Sequence, residues 1–266
     1  MRPTICGSLL LCWASLAFAQ ISPPQDPAPL YVESSIANSA SPRAEGLAPN
    51  TLATLYGKFL SHTTRSLQPE DIAAGILPTT LRGTGVRVIV GGFLAPVLYI
   101  SPTQVNFVVP PSLLPGDWEL RLGLDSRSGP AVRVRLSAAS PALFSMDPEF
   151  VIATRGDGSL LTNEKPGKGG EIVVLYATGL GTTLPPIVSG QIVVGAAGLE
   201  RMRDFRVELN GEAVAAERVL YAGLAPGFAG LYQVNLRLPE GIGRNPVIRI
   251  GFSEVMSPEA VRLHAE

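Results

Sequence analysis

The residues best suited to binding a ligand are two glutamine–asparagine pairs that recur in the sequence. Residues 104–110 read QVNFVVP and residues 233–239 read QVNLRLP, so each copy has a glutamine two positions before an asparagine. Side chains two positions apart on a β-strand lie on the same face. Each pair could present its amides to a ligand, or could hold the preceding irregular loop by hydrogen bonds to its backbone. Because both copies contain the pair, we favour the structural role.

A second candidate for binding is the apolar loop before the second pair. Residues 222–230 read AGLAPGFAG and contain an insertion of seven residues relative to the first copy. Glycines let a partner approach the backbone, and an uncharged apolar loop is costly to expose unless something covers it. The alternative is that Phe228 folds back and seals the junction between the two copies. The candidate binding residues are Tyr221, Phe228, Tyr232, Gln233 and Asn235.

Acidic residues are the only side chains whose pattern could support hydrolysis. Glycosidases use two carboxyl groups on either side of the scissile bond. The nearest such pairs here are Glu70 with Asp71 and Asp147 with Glu149. Loop-like surroundings do not fix their mutual geometry, so we interpret them as solvated loop acids. No Gly-x-Ser-x-Gly elbow, phosphate loop or dinucleotide fingerprint occurs, so the sequence predicts no catalytic residue and no cofactor.

Residues that could bind a metal ion are scarce and far apart. Both cysteines, Cys6 and Cys12, lie within the first nineteen residues, and the two histidines, His62 and His264, are 202 positions apart. A zinc site needs three or four protein ligands close together. We therefore interpret each histidine as a lone surface residue and predict no metal site.

These residues must be positioned by a chain of 266 residues whose composition limits its architecture. Hydrophobic residues make up 46% and charged residues 16%. The 28 glycines and 24 prolines would break the helices of a bundle or coiled coil. Long runs rich in valine, isoleucine and leucine argue against disorder. A net charge of −1 gives no electrostatic reason for binding nucleic acid, so none is expected as a partner.

The first nineteen residues have the pattern of a signal peptide. Arg2 precedes the apolar stretch 5–18, and the sequence AFA at 17–19 fits cleavage before Gln20. An uncleaved anchor and a lipoprotein modified at Cys12 are the weaker alternatives, because the apolar stretch is short and a bulky leucine precedes the cysteine. We expect a secreted, periplasmic or cell-surface protein with no membrane span after cleavage.

The chain contains an internal duplication. Four segments of the first half recur in the same order in the second half, at offsets of 120, 119, 122 and 129 residues. They are TLATLYG at 51–57 with EIVVLYA at 171–177, VRVIVGG at 86–92 with FRVELNG at 205–211, VLY at 97–99 with VLY at 219–221, and the two QVN segments. Order and register together indicate a tandem repeat of one module of about 100 residues.

Each module has the pattern of a small antiparallel sandwich. Short strands rich in branched residues alternate with turns, including Asn210-Gly211 and the segment GDG at 156–158, as in immunoglobulin-like domains. The predicted fold class is all-β, with two tandem immunoglobulin-like β-sandwich modules. We expect a signal peptide at 1–19, an extended proline-rich leader at 20–46, a first module at 47–146 and a second at 147–266.

Two segments of the second half resemble a known family. Residues 175–181 read LYATGLG and residues 221–235 read YAGLAPGFAGLYQVN. They are similar to the uncharacterised Solibacter-type C-terminal domain of exported acidobacterial proteins, and the similarity runs from about Leu47 to the C-terminus. The modules also resemble IPT/TIG immunoglobulin-like domains. The resemblance implies export, β-sandwich modules and often a position beside other domains, and it carries over no catalytic residue.

Three functions are compatible with these observations. The leading hypothesis is an exported, non-catalytic interaction or structural module of the cell surface or envelope, whose partner is an unknown protein or glycan. The second is a carbohydrate-binding module, which needs exposed aromatic residues on one face; the available ones are Tyr176, Tyr221, Phe228 and Tyr232. The third is a hydrolase that uses loop carboxylates. The sequence favours a protein that is not an enzyme.

Overall fold

The computed structural model of the chain describes residues 26–43, 46–258 and 261–266. Within these ranges the chain is all-β, with twenty-one strands and no α-helix, which confirms the predicted fold class. Four short 3₁₀ turns occur at Glu33–Ser35, Pro69–Asp71, Met202–Asp204 and Ala216–Arg218. None of the helical segments in the described ranges is long and apolar enough to cross a membrane. The predicted signal peptide lies outside the described residues.

The first module is a sandwich of two antiparallel sheets. Its strands are β1 (Ile36–Asn38), β2 (Leu52–Tyr56), β3 (Arg65–Ser66), β4 (Val86–Val90), β5 (Phe93–Ala95), β6 (Val97–Ile100), β7 (Gln104–Val108), β8 (Gly116–Leu124), β9 (Arg127–Ser128) and β10 (Val132–Leu136). One sheet has the order β1-β2-β7-β6-β3, and the other has the order β10-β8-β4-β5 with β9 attached to β8.

Strand alternation places the core between these sheets. In β4 the three valines are buried and Arg87 points to solvent, as a period of two requires. In β7 the side chains of Val105 and Phe107 are fully buried. Gln104 and Asn106, which alternate with them, lie on the outer face and are half-buried. The outer face of β7 therefore carries the amide pair.

The second module repeats the arrangement with eleven strands. They are β11 (Ala142–Leu143), β12 (Ala153–Arg155), β13 (Ile172–Thr178), β14 (Thr183–Leu184), β15 (Ala197–Leu199), β16 (Arg206–Leu209), β17 (Glu212–Ala213), β18 (Val219–Leu224), β19 (Tyr232–Arg237), β20 (Ile248–Phe252) and β21 (Val255–Met256). One sheet has the order β11-β13-β19-β18-β15-β14 with β12 attached to β13, and the other has the order β17-β16-β20-β21.

The duplication is visible in the strand registers. Tyr56 of β2 pairs with Gln104 of β7, and Tyr176 of β13 pairs with Gln233 of β19. A register shift interrupts β6 between Val97 and Tyr99 and also interrupts β18 at the equivalent position. The Asn210-Gly211 turn joins β16 to β17 with both residues at positive φ, 52° and 83°, as predicted for a two-residue hairpin.

The segment expected to be an extended leader is integrated into the first module. Strand β1 pairs with β2, and Tyr31 is buried in the core of the first sandwich. The Tyr31 hydroxyl donates to the carbonyl of Pro130 at 2.7 Å and accepts from the backbone N–H of Leu122 at 2.7 Å. The prediction for residues 20–46 is therefore wrong over the described part from Leu30 onward, because partners some ninety residues away fix this segment.

The second module begins earlier than the predicted residue 147. Leu136 packs in the first core, whereas Ala139 and Leu143 already belong to the second. Strand β11 pairs with β13 of the second module at Ala142 and Leu143. The change from one core to the other therefore falls within residues 137–138, ahead of the predicted boundary.

Candidate functional site

The two modules meet in a packed junction to which the apolar loop contributes. Ala229 is buried in one hydrophobic cluster with Leu77 and Val108 of the first module. Gly230, at φ +72°, is so close to Leu52 that an added Cβ would lie 3.1 Å from the Leu52 Cγ. The loop therefore seals the junction through its small residues.

Hydrogen bonds complete this junction. The backbone N–H of Leu52 donates to the Thr178 hydroxyl at 2.8 Å, and that hydroxyl donates to the carbonyl of Gly230 at 2.8 Å. At the end of β1, the Asn38 amide donates to the carbonyl of Ser140, just before β11, at 3.0 Å. Main-chain groups of both modules are thus satisfied across the contact.

Tyr232 is a junction residue and has no surface for a ligand. Its side chain is fully buried. Its hydroxyl donates to the carbonyl of Gly181 and accepts from the Asn50 amide, with 3.2 Å between the Asn50 Nδ2 and the Tyr232 oxygen. Burial raises the pKa of Tyr232 far above its ordinary value. We therefore assign it a structural role.

Phe228 does not seal the junction, although it belongs to the sealing loop. Its side chain is 55% exposed. The neighbouring backbone N–H of Gly227 donates to the carbonyl of Val193 at 2.8 Å, which attaches the loop tip to a second loop whose Val194 is 95% exposed. The alternative in which Phe228 folds back is therefore wrong, because Ala229 and Gly230 already fill the contact.

Tyr221 lies along the outer face of its sheet and is tied to the backbone. Its hydroxyl oxygen is within hydrogen-bond distance of the carbonyl oxygens of Leu224 and Ala197, at 2.9 and 3.2 Å. A Cβ added to Gly223 would approach this hydroxyl to 2.6 Å, so the glycine makes room for the tyrosine. Burial raises the pKa of Tyr221. The hydroxyl is already used within the protein.

Within each amide pair, the glutamine side chain bonds to the asparagine side chain and not to the loop before it. The Gln104 Nε2 donates to the Asn106 Oδ1 at 2.8 Å, and Gln233 donates to Asn235 at 3.3 Å. The loop before Gln104 is held instead by the Ser101 hydroxyl, which accepts from the Gln104 backbone N–H at 2.9 Å. The prediction that these amides hold the preceding loop by hydrogen bonds to its backbone is therefore wrong for the described residues.

Each amide pair is flanked by two tyrosines, one on either neighbouring strand. We call Tyr56, Gln104, Asn106 and Tyr99 the first row, and Tyr176, Gln233, Asn235 and Tyr221 the second row. In both rows one tyrosine is the cross-strand partner of the glutamine and the other is the partner of the asparagine. Such partners have Cβ atoms about 5 Å apart and share a face.

The two rows differ in the state of their tyrosine hydroxyls. All six tyrosines of the chain lie in the described ranges. In the second row the Tyr176 hydroxyl lies 3.2 Å from the Thr154 hydroxyl, and Tyr221 is bonded as above. In the first row Tyr56 is 50% exposed and Tyr99 is half-buried, and neither hydroxyl has a hydrogen-bond partner within the described part of the chain. The first row is therefore available to a ligand.

Reasoning from the sequence missed the first row as a site. It placed the candidate residues in the second module because the long apolar loop lies there. The repeat contained the needed signal, since the VLY segment at 97–99 and the tyrosine that ends 51–56 recur beside the second amide pair. The sequence could not show which copy keeps its hydroxyls free.

Asp71, one of the candidate catalytic acids, is a structural carboxylate. Its two oxygens accept from the Arg65 guanidinium at 2.7 and 2.9 Å, and one also accepts from the Gln68 backbone N–H at 3.0 Å. Burial acts to raise the pKa of Asp71, but the hydrogen bonds from Gln68 and Arg65 outweigh it and hold this pKa below its usual value. The carboxylate fixes the local turn.

Asp147 has an equally structural role. Its Oδ1 accepts from the backbone N–H groups of Phe150 and Glu149, each at 2.8 Å. These two hydrogen bonds lower the pKa of Asp147. Glu149 is exposed and lies 3.7 Å from the Arg262 guanidinium. A carboxyl group held in its ionised form is a poor general acid, so Asp147 is not suited to protonating a leaving group.

The histidines do not approach each other or form a cluster with acids. His264 is buried, contrary to the expectation of a surface residue, and its ring stacks on Phe150 with 3.8 Å between centroids. His62 is exposed and lies 3.1 Å from the Asp125 carboxylate. Among the described residues, no group of three or more histidine, cysteine, aspartate or glutamate side chains could hold a metal ion.

Comparison with known proteins gives structural likenesses only. No protein-family model matches the sequence, and no curated protein matches it. A surface glycan-binding protein from Prevotella bryantii is 10% identical, with a TM-score of 0.27 over 90% of this chain and 42% of that protein. A Bacteroides ovatus surface glycan-binding protein in complex with a mixed-linkage heptasaccharide is 9% identical, with a TM-score of 0.32 over 83% of this chain and 42% of that one.

An S-layer protein, SbsC, is similar over nearly all of its two solved domains. Domains 5–6 are 11% identical to this chain, with a TM-score of 0.27 over 89% of this chain and 98% of the other. This chain spans less than half the length of the two glycan-binding proteins. The description of the fold therefore rests on the strand pairing of the chain itself.

Proposed function

We propose that the chain is an exported, non-catalytic interaction module of the cell surface or envelope. The observation that carries the proposal is the first row, an outer-face cluster of uncharged side chains with free polar groups. Loops and sheet faces on a rigid sandwich are common places for recognition. Three of the four candidate acids, Asp71, Asp147 and Glu149, are by contrast used in local hydrogen bonds and ion pairs.

Export remains part of the proposal because the predicted signal peptide lies outside the described residues. The resemblance to the Solibacter-type domain family, which is also a proposal, supports export because that family occurs in exported proteins. N-terminal sequencing of secreted protein tests export and the cleavage site. We expect a mature chain that starts at Gln20, whereas secreted material that starts at Met1 would contradict cleavage.

A carbohydrate-binding module is the second candidate. It is favoured by one specific observation, the placement of Tyr56 and Tyr99 on either side of an amide pair. Aromatic rings with polar edges combine apolar contact with hydrogen bonding at one surface. The aromatic residues first considered, in the second module, are less suitable because Tyr232 is buried and the hydroxyls of Tyr176 and Tyr221 are engaged.

Retention of the secreted chain on envelope preparations tests the leading proposal. We expect saturable binding that falls when Tyr56 and Tyr99 are both replaced by alanine and persists when Tyr176 is replaced by phenylalanine. Neither variant should release sugars or acyl groups from the preparation. Turnover by the wild-type chain, or the absence of retention on any envelope fraction, would contradict a non-catalytic interaction module.

A further inference from the structure

We infer that the first row binds a neutral oligosaccharide, with sugar rings on Tyr56 and Tyr99 and sugar hydroxyls on the Gln104–Asn106 amides. This inference rests on the proposed function and specifies its ligand class. Four observations support it: the spacing of the two tyrosines, the fixed geometry of the amides, the absence of charge in the row, and the junction loop of the second module that closes one end of the row.

The spacing of the tyrosines suits more than one sugar ring. Tyr56 lies on β2 and Tyr99 on β6, with β7 between them. Tyr56 pairs with Gln104 and Tyr99 with Asn106, so the two tyrosines are offset by two residues along the strands. Two strand spacings and this offset put their Cβ atoms about 12 Å apart. That span is the length of a short oligosaccharide rather than a single ring.

The amides between the tyrosines are held in place by the protein. Asn106 Oδ1 accepts from the Gln104 Nε2 at 2.8 Å and from the Thr54 hydroxyl at 3.2 Å, and Thr54 lies 2.9 Å from the Ser39 hydroxyl. A prearranged polar group loses little entropy when a ligand binds. The network restricts both amides before a ligand arrives.

Free polar groups of the row match the chemistry of a hydroxyl. The Gln104 Oε1 can accept and the Asn106 Nδ2 can donate, and neither atom has a hydrogen-bond partner among the described residues. The hydroxyls of Tyr56 and Tyr99 can do both. A sugar hydroxyl is also both donor and acceptor, so it can satisfy either kind of group.

The ligand is expected to be neutral because the row contains no charge. Tyrosine, glutamine and asparagine are uncharged at neutral pH, and so are Thr54 and Ser39 beside them. A carboxylated or sulfated ligand placed over this face would lose water without gaining a countercharge from the row. Uronic acid polymers are therefore expected to bind more weakly than neutral ones.

The second module closes one end of this face. Val108 follows Asn106 by two residues on the same outer face of β7, and it packs against Ala229 of the junction loop. Phe228, next to Ala229 and 55% exposed, therefore stands near the closed end of the row. A ligand extending from the tyrosines in this direction meets the loop, which limits its position along the strands.

Calorimetric titration of the mature secreted chain tests the inference. The probes are cellohexaose, xylohexaose, mannohexaose and maltohexaose, with a polygalacturonate fragment as the charged comparison. We expect saturable binding of at least one neutral hexasaccharide. Tyr56→Ala and Tyr99→Ala should each weaken it by at least about tenfold, and Tyr99→Phe should weaken it by a few fold through the lost hydroxyl.

Tyr176→Phe is the matched control because it changes the equivalent tyrosine of the second row. It should leave the affinity unchanged, and thermal melting identifies any variant that has lost its fold; Tyr99→Phe keeps the ring and the packing. Failure of every neutral hexasaccharide to bind overturns the inference, as does equal weakening by the control. Retention on envelope protein without sugar binding would overturn the inference and leave the proposed function standing.

Discussion

The six tyrosines divide into two kinds by what their hydroxyls bond. Those of Tyr31, Tyr176, Tyr221 and Tyr232 all have protein partners, and these residues are buried or half-buried. Tyr56 and Tyr99 face outward beside an amide pair, with no partner for their hydroxyls in the described ranges. The first kind bonds within the sandwiches and across their junction, and the second kind leaves its hydroxyls free for the proposed ligand.

Removing the hydroxyl of Tyr232 should destabilise the whole chain. Tyr232→Phe leaves the Gly181 carbonyl and the Asn50 amide without their partner in a buried junction, which should cost about 1–3 kcal/mol in the free energy of unfolding. Urea denaturation measures this loss. Tyr99→Phe serves as the control and should change stability by less than about 0.5 kcal/mol. Equal effects of the two substitutions would contradict the assigned roles.

Stability should be constant near neutral pH and fall at both extremes. Hydrogen bonds lower the pKa of Asp71 and Asp147 in the folded chain, so below about pH 4 the unfolded state takes up protons first and stability falls. Burial raises the pKa of Tyr232 and Tyr221, so above about pH 10 the unfolded state loses protons first and stability falls again. Urea midpoints measured across this range check both limbs. A main loss between pH 6 and 8 would contradict this assignment.

At the residue scale the sequence predicted faces better than contacts. A period of two was enough to place Gln104 with Asn106, and Gln233 with Asn235, on one face of a strand. The same period puts Tyr232, next to Gln233, on the inner face, but it could not predict the hydrogen bond between Tyr232 and Asn50, which lies 182 positions away. Long-range packing decides such cases.

At the scale of elements, the junction depends on glycines that admit another backbone. Gly179 has φ +78°, and an added Cβ would overlap the carbonyl oxygen of Ser140. Gly227 has a similar φ of +85° but no atom within 4 Å of an added Cβ. The two positions share the backbone conformation and differ only in crowding.

Gly179→Ala should therefore be far more damaging than Gly227→Ala. Each substitution places a side chain on a left-handed backbone, which costs about 1–2 kcal/mol. Only Gly179→Ala must also move the backbone at Ser140. We expect Gly227→Ala to lose no more than that amount and Gly179→Ala to lose over about 3 kcal/mol or to fail to fold. Chemical denaturation of the two variants decides, and similar losses would show that the junction is looser than described.

Truncating Phe228 should have little effect on folding. A buried phenylalanine replaced by alanine costs about 3–5 kcal/mol. Because Phe228 is 55% exposed, Phe228→Ala should cost less than about 1 kcal/mol. Thermal and urea unfolding of the variant check this value. A loss of about 3 kcal/mol or more would restore the alternative in which this ring seals the junction.

The repeat predicted elements well where pairing is local to a module and poorly at the ends of modules. Asn210-Gly211 turns β16 into β17, and the duplicated segments form equivalent strands. The proline-rich leader suggested an extended chain, but Tyr31 is held by Leu122 and Pro130. No local pattern encodes partners at that distance, so the predicted leader was wrong from Leu30 onward.

At the scale of the whole molecule, the two similar sandwiches differ in which of their surfaces are used in the junction between them. The second module contributes the loop that closes the junction, and its own tyrosines bond within the module or across the contact. The first module keeps an outer face with free polar groups beside that loop. The duplication gives two equivalent rows, and only in the second do the tyrosine hydroxyls have partners among the described residues.

Nuclear magnetic resonance of the chain with ¹³C-labelled tyrosine rings tests the central claim most directly, because all six tyrosines report at once. On titration with the neutral hexasaccharide that binds, or with solubilised envelope material, the signals of Tyr56 and Tyr99 should shift while the other four stay in place and the ligand remains uncleaved. Shifts confined to Tyr176 and Tyr221, or cleavage of the ligand during the titration, would contradict a non-catalytic module that binds through its first row.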